Sequence, residues 1–135
     1  MADEITPAER ITAYLVAHPS AVRYAIGGPL AAAGADPGAI PVWGQDLFGT
    51  SAAVAQRFFL NATTFGAATG FDFPDALSGG VFMGNPGHLG PMLLVTPNRP
   101  IPTSITGYLT NATHITHGYL FGGPLAVGDD VAGHL

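Results

Sequence analysis

The chain has 135 residues at 13.8 kDa, a length that suits one compact domain, or at most two very small ones. Apolar residues make up 47% and charged residues 10%, with a mean hydropathy of +0.34, the reverse of the balance that keeps a chain disordered. Four arginines and no lysine face nine acids, so no basic stripe can neutralise nucleic-acid phosphates, and the absence of cysteine excludes disulfides, thiolate metal sites and cysteine nucleophiles.

From the amino terminus, Met1-Ala2-Asp3-Glu4-Ile5-Thr6-Pro7 is acidic and lacks the basic and apolar regions of a signal peptide. The expectation is therefore a cytoplasmic protein or one piece of a longer secreted one. No stretch approaches the roughly 18 uninterrupted apolar residues of a membrane span. Strand candidates follow at Val22 to Ile26, Ile40 to Trp43, Thr64 to Thr69, Pro91 to Val95 and Ile115 to Phe121. They are brief, mostly apolar and bounded by glycine or proline, as buried parallel strands are. Helices are expected between them. Thr50-Ser51 offers an N-cap to Ala52 through Leu60. Pro74 stands just ahead of Asp75-Ala76-Leu77, and Pro102-Thr103-Ser104 opens a helix to about Leu109. This alternation predicts an α/β fold, a mainly parallel sheet with helices on both faces in a compact Rossmann-like unit.

An internal repeat cuts across these elements. Tyr24-Ala25-Ile26-Gly27-Gly28-Pro29-Leu30-Ala31 returns as Tyr119-Leu120-Phe121-Gly122-Gly123-Pro124-Leu125-Ala126, with six identities in eight positions at an offset of 95. Tyr14-Leu15 precedes the first copy much as Tyr108-Leu109 precedes the second. Residues 1–40 read as the closing part of a preceding repeat and 41–135 as one complete repeat.

Several groups could carry chemistry. Gly27-Gly28 and Gly122-Gly123 each follow a strand and precede a proline at an expected helix start, where backbone amides could cradle an anion. A tight turn needing positive φ explains the same glycines without a ligand. Asp72 and Asp75 flank Pro74 at a strand end, where ligand crevices of α/β sheets lie, although Asp75 also suits a helix dipole and Asp72 a cap. Ala76-Leu77-Ser78-Gly79-Gly80 half-matches a hydrolase nucleophile elbow, but Ser78 falls about nine residues past its strand. His114 and His117 would point to opposite faces of an expected strand and could not share a metal there. No metal site and no cofactor is called for.

Taken in order, these landmarks resemble the cell wall-binding repeat 2 family of Gram-positive bacteria. Phe73-Pro74-Asp75-Ala76-Leu77-Ser78 is similar to its central motif and Pro91-Met92-Leu93-Leu94-Val95 to its apolar strand. Gly122-Gly123-Pro124-Leu125-Ala126-Val127 resembles its closing segment, as does Gly27-Gly28-Pro29-Leu30-Ala31. The family's opening pattern, Gly-x-Asp-Arg-Tyr-x-Thr, meets Gly44-Gln45-Asp46-Leu47-Phe48-Gly49-Thr50 here, with Leu47 in place of the arginine. Leucine cannot supply the bidentate contact to carboxylate or phosphate that arginine does.

The resemblance implies a non-catalytic module that holds a secreted or surface-layer protein to an anionic wall polymer. It implies further repeats or copies as partners, in a triangular arrangement or homotrimer, and an extracellular, wall-associated place. Under that reading Gly27, Gly28, Asp72, Asp75, Gly122 and Gly123 line a groove at the carboxyl edge of the sheet, with Arg23 and Arg99 as charge contacts. The rival readings are a purely structural or oligomerisation repeat, and a serine hydrolase using Ser78.

Overall fold

The computed structural model describes residues 6–28 and 36–135. Among these the elements run α1 (Pro7–Ala17), β1 (Tyr24–Ile26), β2 (Ile40–Val42), α2 (Leu47–Phe58), β3 (Thr64–Thr69) and α3 (Phe73–Met83). They continue with β4 (Met92–Val95), α4 (Thr103–Asn111), β5 (His117–Phe121) and α5 (Asp129–Ala132). All five expected strands form, each within a residue or two of its expected bounds.

The helices differ more, and capping explains how. Helix α1 is not among the helices expected above, although its signal is in the sequence. Thr6 and Glu9 form a reciprocal box in which the Glu9 amide donates to the Thr6 hydroxyl at 3.3 Å and the Thr6 amide to the Glu9 carboxylate at 2.8 Å. Helix α2 begins at Leu47, a turn earlier than Thr50-Ser51 predicts, because Asp46 is the true cap and accepts from the Gly49 amide at 2.6 Å. Thr50 lies inside the helix and accepts from the Gly44 amide at 3.1 Å. Asp72 occupies the cap position of α3, yet its side chain makes no capping bond. The expected helix after Pro124 is instead a turn, with the Ala126 amide donating to the Gly123 carbonyl at 2.8 Å, and α5 starts only at Asp129. The proline after Gly28 lies outside the described residues.

Every strand pairing is parallel, but the strands form two sheets, β1-β2 and β4-β3-β5, rather than one. A side chain of α2 occupies the edge of β4 that faces away from β3. The Leu94 amide, on the open edge of β4, donates at 3.1 Å to the hydroxyl of Ser51 on α2. That edge is thus covered by a helix.

Strand β3 is buried along its whole length, which is why it reads as a run of small and apolar residues. On one face Phe65, Ala67, Leu93 and Val95 pack with Ala52 and Ala55 of α2 and Ile105 and Tyr108 of α4. The Tyr108 ring is fully buried, and its hydroxyl donates to the Phe59 carbonyl at 2.9 Å, so the core holds no orphaned polar group there. Helix α3 lies against β3, β4 and β5. It approaches closely through Gly79: a Cβ there would stand 2.5 Å from Met92 Cε and 2.7 Å from the Phe121 ring.

Candidate functional site

The chain leaves β3 for β4 through α3 and returns past β3 to β5 through α4. The two neighbours of β3 are therefore reached in opposite directions, and the carboxyl ends of β3 and β5 flank the point where ligands bind in open α/β sheets. The segments that carry Asp72 and Asp75, and Gly122 and Gly123, follow those carboxyl ends. Asp75, half-buried in the first turn of α3, faces the β5 loop closely enough that a Cβ on Gly122 would stand 2.6 Å from its Oδ2. Gly122 has φ +112°, in the region that favours glycine, whereas Gly123 has open space around it. Carboxylates beside unhindered backbone can accept hydrogen bonds from hydroxyl groups, and the only ion pair among the described residues lies elsewhere.

That pair is Arg23 with Asp36. The guanidinium donates to both carboxylate oxygens, at 2.6 and 3.3 Å, and the Gly38 amide adds a third bond at 3.0 Å. The Arg23 hydrogen bonds first, and the Gly38 amide second, hold the Asp36 carboxyl below the usual carboxylate range, while the arginine is raised in turn. Arg23 stands at the amino end of β1, away from the carboxyl edge, and ties down the approach to β2. Arg99 is at the carboxyl edge, in the loop after β4. Its Nη1 donates to His134 Nε2 at 3.0 Å, and its amide donates to Asp130 Oδ2 at 3.3 Å. His134 Nδ1 lies 2.8 Å from the Asp130 carbonyl. Arg57 lies over the Tyr24 ring at 5.4 Å and donates to its hydroxyl at 3.2 Å.

Gly27 and Gly28 belong to a different feature. They border a cleft of about 590 Å³ whose other wall is the entry to α2, with Gln45 and Leu47, and the side chains of Met92 and Leu94. Gly27 has φ +148° and donates to the Val42 carbonyl at 3.2 Å. The α2 entry is tightly built. A Cβ on Gly44 would overlap the backbone of Gly49, Asp46 caps the helix, and Thr50 returns to the Gly44 amide. Leu47, 41% exposed, is left facing the cleft. Strand order and spacing did not reveal this cleft, whose walls come from three separated segments.

Ser78 is exposed on α3, and its hydroxyl donates to the carbonyls of Pro74 and Asp75, each at 3.1 Å. His88 instead stacks on Phe82 and lies 3.1 Å from the Tyr119 hydroxyl. His18 bonds Tyr14, and His117 bonds Thr116. His114 precedes β5 rather than lying on it, since the strand begins at His117. Among the described residues no hydrogen bond links Ser78 to an imidazole.

A family model, cell wall binding domain 2 (CWB2), matches residues 42–132, and the chain belongs to that family of binding domains. Searches among curated proteins and among solved structures found no match. The matched span opens on the α2 entry. Of the pattern positions retained there, Gly44, Asp46 and Thr50 are each accounted for by close packing or capping. Leu47 lines the cleft together with Gly44, Asp46 and Thr50. No helix among the described residues is long and apolar enough to cross a membrane.

Proposed function

We propose that this member of the cell wall binding domain 2 family is a non-catalytic module that attaches a surface protein, without covalent bonds, to an anionic polymer of the cell wall. The observation that carries this reading is the family match over residues 42–132. Loops at the carboxyl edge of the β4-β3-β5 sheet support it. Asp72 and Asp75 accept hydrogen bonds from polymer hydroxyls, the amides around Gly122 and Gly123 donate to its oxygens, and Arg99 meets its anionic groups. Gly27 and Gly28 contribute in the same way from the neighbouring cleft. Each contact is weak, and repeated copies multiply them. The module then works outside the cell, as part of a longer secreted protein of a Gram-positive surface or surface layer. Arg23 is the weakest member of the set, because Asp36 already engages its guanidinium.

A second reading, in which the repeat serves assembly and binds no polymer, is favoured by Leu47 and by the pairing of Arg23 and Arg57 within the fold. Sedimentation with wall sacculi, before and after anionic polymers are stripped, separates the two. Pull-down that falls with salt and vanishes on stripping supports polymer binding. Pull-down absent under every condition removes it and leaves the assembly role.

A further inference from the structure

We propose that the outward edge of β5 is a docking site for a strand of the β2 type, presented by a further repeat of this sequence. Residues 24–31 and 119–126 are copies of one segment, and they meet different fates. The first forms β1 and carries β2 beside it, Tyr24 opposite Ile40 and Ile26 opposite Val42. The Ile40 amide donates to the Arg23 carbonyl at 2.8 Å and the Gly27 amide to the Val42 carbonyl at 3.2 Å. Alternate residues of a strand turn their amides and carbonyls to opposite neighbours, so β1 uses positions 23, 25 and 27 for β2.

In β5 the residues turned toward β3 are His117, Tyr119 and Phe121, as the His117 amide shows by donating to the Thr63 carbonyl at 3.3 Å. Gly118, Leu120 and Gly122 therefore point outward, and at the offset of 95 they align with Arg23, Ala25 and Gly27. The edge that β1 fills is the one that β5 leaves open, and among the described residues the sheet ends there. The strand-ending glycines agree, with φ +148° at Gly27 and +112° at Gly122. A groove of about 330 Å³ runs beside this edge, lined by His117, Gly118, Leu120 and Leu135 among others. Leu135 aligns with Ile40, the first residue of β2.

The first copy shows the converse. At an offset of 94, Ile11 and Tyr14 of α1 align with Ile105 and Tyr108 of α4. The α4 pair is 0% exposed, while Ile11 and Tyr14 are 62% and 60% exposed. The α1–β1 unit displays the face that its later copy buries. An array in which the last strand of each repeat receives the first strand of the next covers the β5 edge by strand addition. This inference stands apart from polymer binding.

The test titrates the isotope-labelled full chain with a synthetic peptide of residues 36–46, which contains β2. Amide shifts at Gly118, Leu120 and Gly122, with roughly tenfold slower exchange, are expected. A Leu120→Pro variant removes one outward amide and leaves the β3 ladder intact, since proline is tolerated where a strand amide faces solvent. It should keep the circular dichroism of the parent and lose the peptide response. A chain lengthened after Leu135 by Pro-Val-Trp-Gly, the residues that follow Ile40, gives the same readout at an effective concentration of roughly millimolar. Equal response in Leu120→Pro, shifts on β1 or β4 instead, or unchanged exchange in the lengthened chain would overturn the proposal.

Discussion

Replacing Gly79 by alanine, with Gly80→Ala as its neighbour control, isolates how α3 is seated on the sheet. Both positions lie within α3, so the intrinsic gain from alanine, about 0.5–1 kcal/mol, is common to both. A Cβ on Gly80 meets nothing within 4 Å, and that variant should be stabilised by this amount. On Gly79 the new methyl stands 2.5 Å from Met92 Cε and 2.7 Å from Phe121 Cδ2 and Cγ. The methionine end can swing aside. The Phe121 ring has less room, because Phe82 lies at 5.6 Å between centroids on α3 and a Cβ built at Gly66 would come within 2.9 Å of it. Overpacking of this kind costs about 1–3 kcal/mol. Gly79→Ala should therefore fall below Gly80→Ala by that difference, roughly 3–10 °C in Tm for a chain of this size. Paired thermal and urea melts followed by circular dichroism measure it. Equal melting of the two variants would refute the close seating of α3 through Gly79.

Tyr108→Phe removes one of two donors to the Phe59 carbonyl, which keeps the Ala62 amide at 3.1 Å, and should cost about 0.5–1.5 kcal/mol in urea melts, with little change in secondary structure. Burial also pushes the Tyr108 phenol above its ordinary value, so in an alkaline absorbance titration it should ionise above the ordinary tyrosine range. The Asp36 carboxylate binds protons more weakly folded than unfolded. Its contribution is complete above the ordinary carboxylate pKa and lost as pH falls through the lowered folded value, which the Gly38 amide shift should track and Asp36→Asn should abolish. Leu47→Arg places a cation at the cleft and should raise pull-down by polymer-bearing sacculi several-fold at low salt, but not by stripped ones. No gain on polymer-bearing sacculi would argue against a polymer contact at that cleft.

Strand β3 was legible end to end because its burial on both faces leaves a continuous run of small and apolar residues, bounded by Gly70. The start of α2 was not, because two capping residues lie four apart and only packing decides between them. Asp46 wins once Gly44 is close enough to engage Thr50. The carboxyl-edge grouping of Asp72, Asp75, Gly122 and Gly123 follows from topology, since parallel strands bring those loops to one end. Arg23 shows the limit of such reasoning. Its partner Asp36 is thirteen residues away across the connection to β2, and no local pattern announces the pair. The split into two sheets was equally hidden, and so was the hydroxyl of α2 that meets a strand amide 43 residues later.

That hydroxyl gives the larger sheet a direction. Ser51 takes up the outward Leu94 amide on the β4 side, while among the described residues no side chain does the same on the β5 side. A sheet covered on one flank and uncovered on the other has two unlike edges, and a strand added to it would meet only one of them.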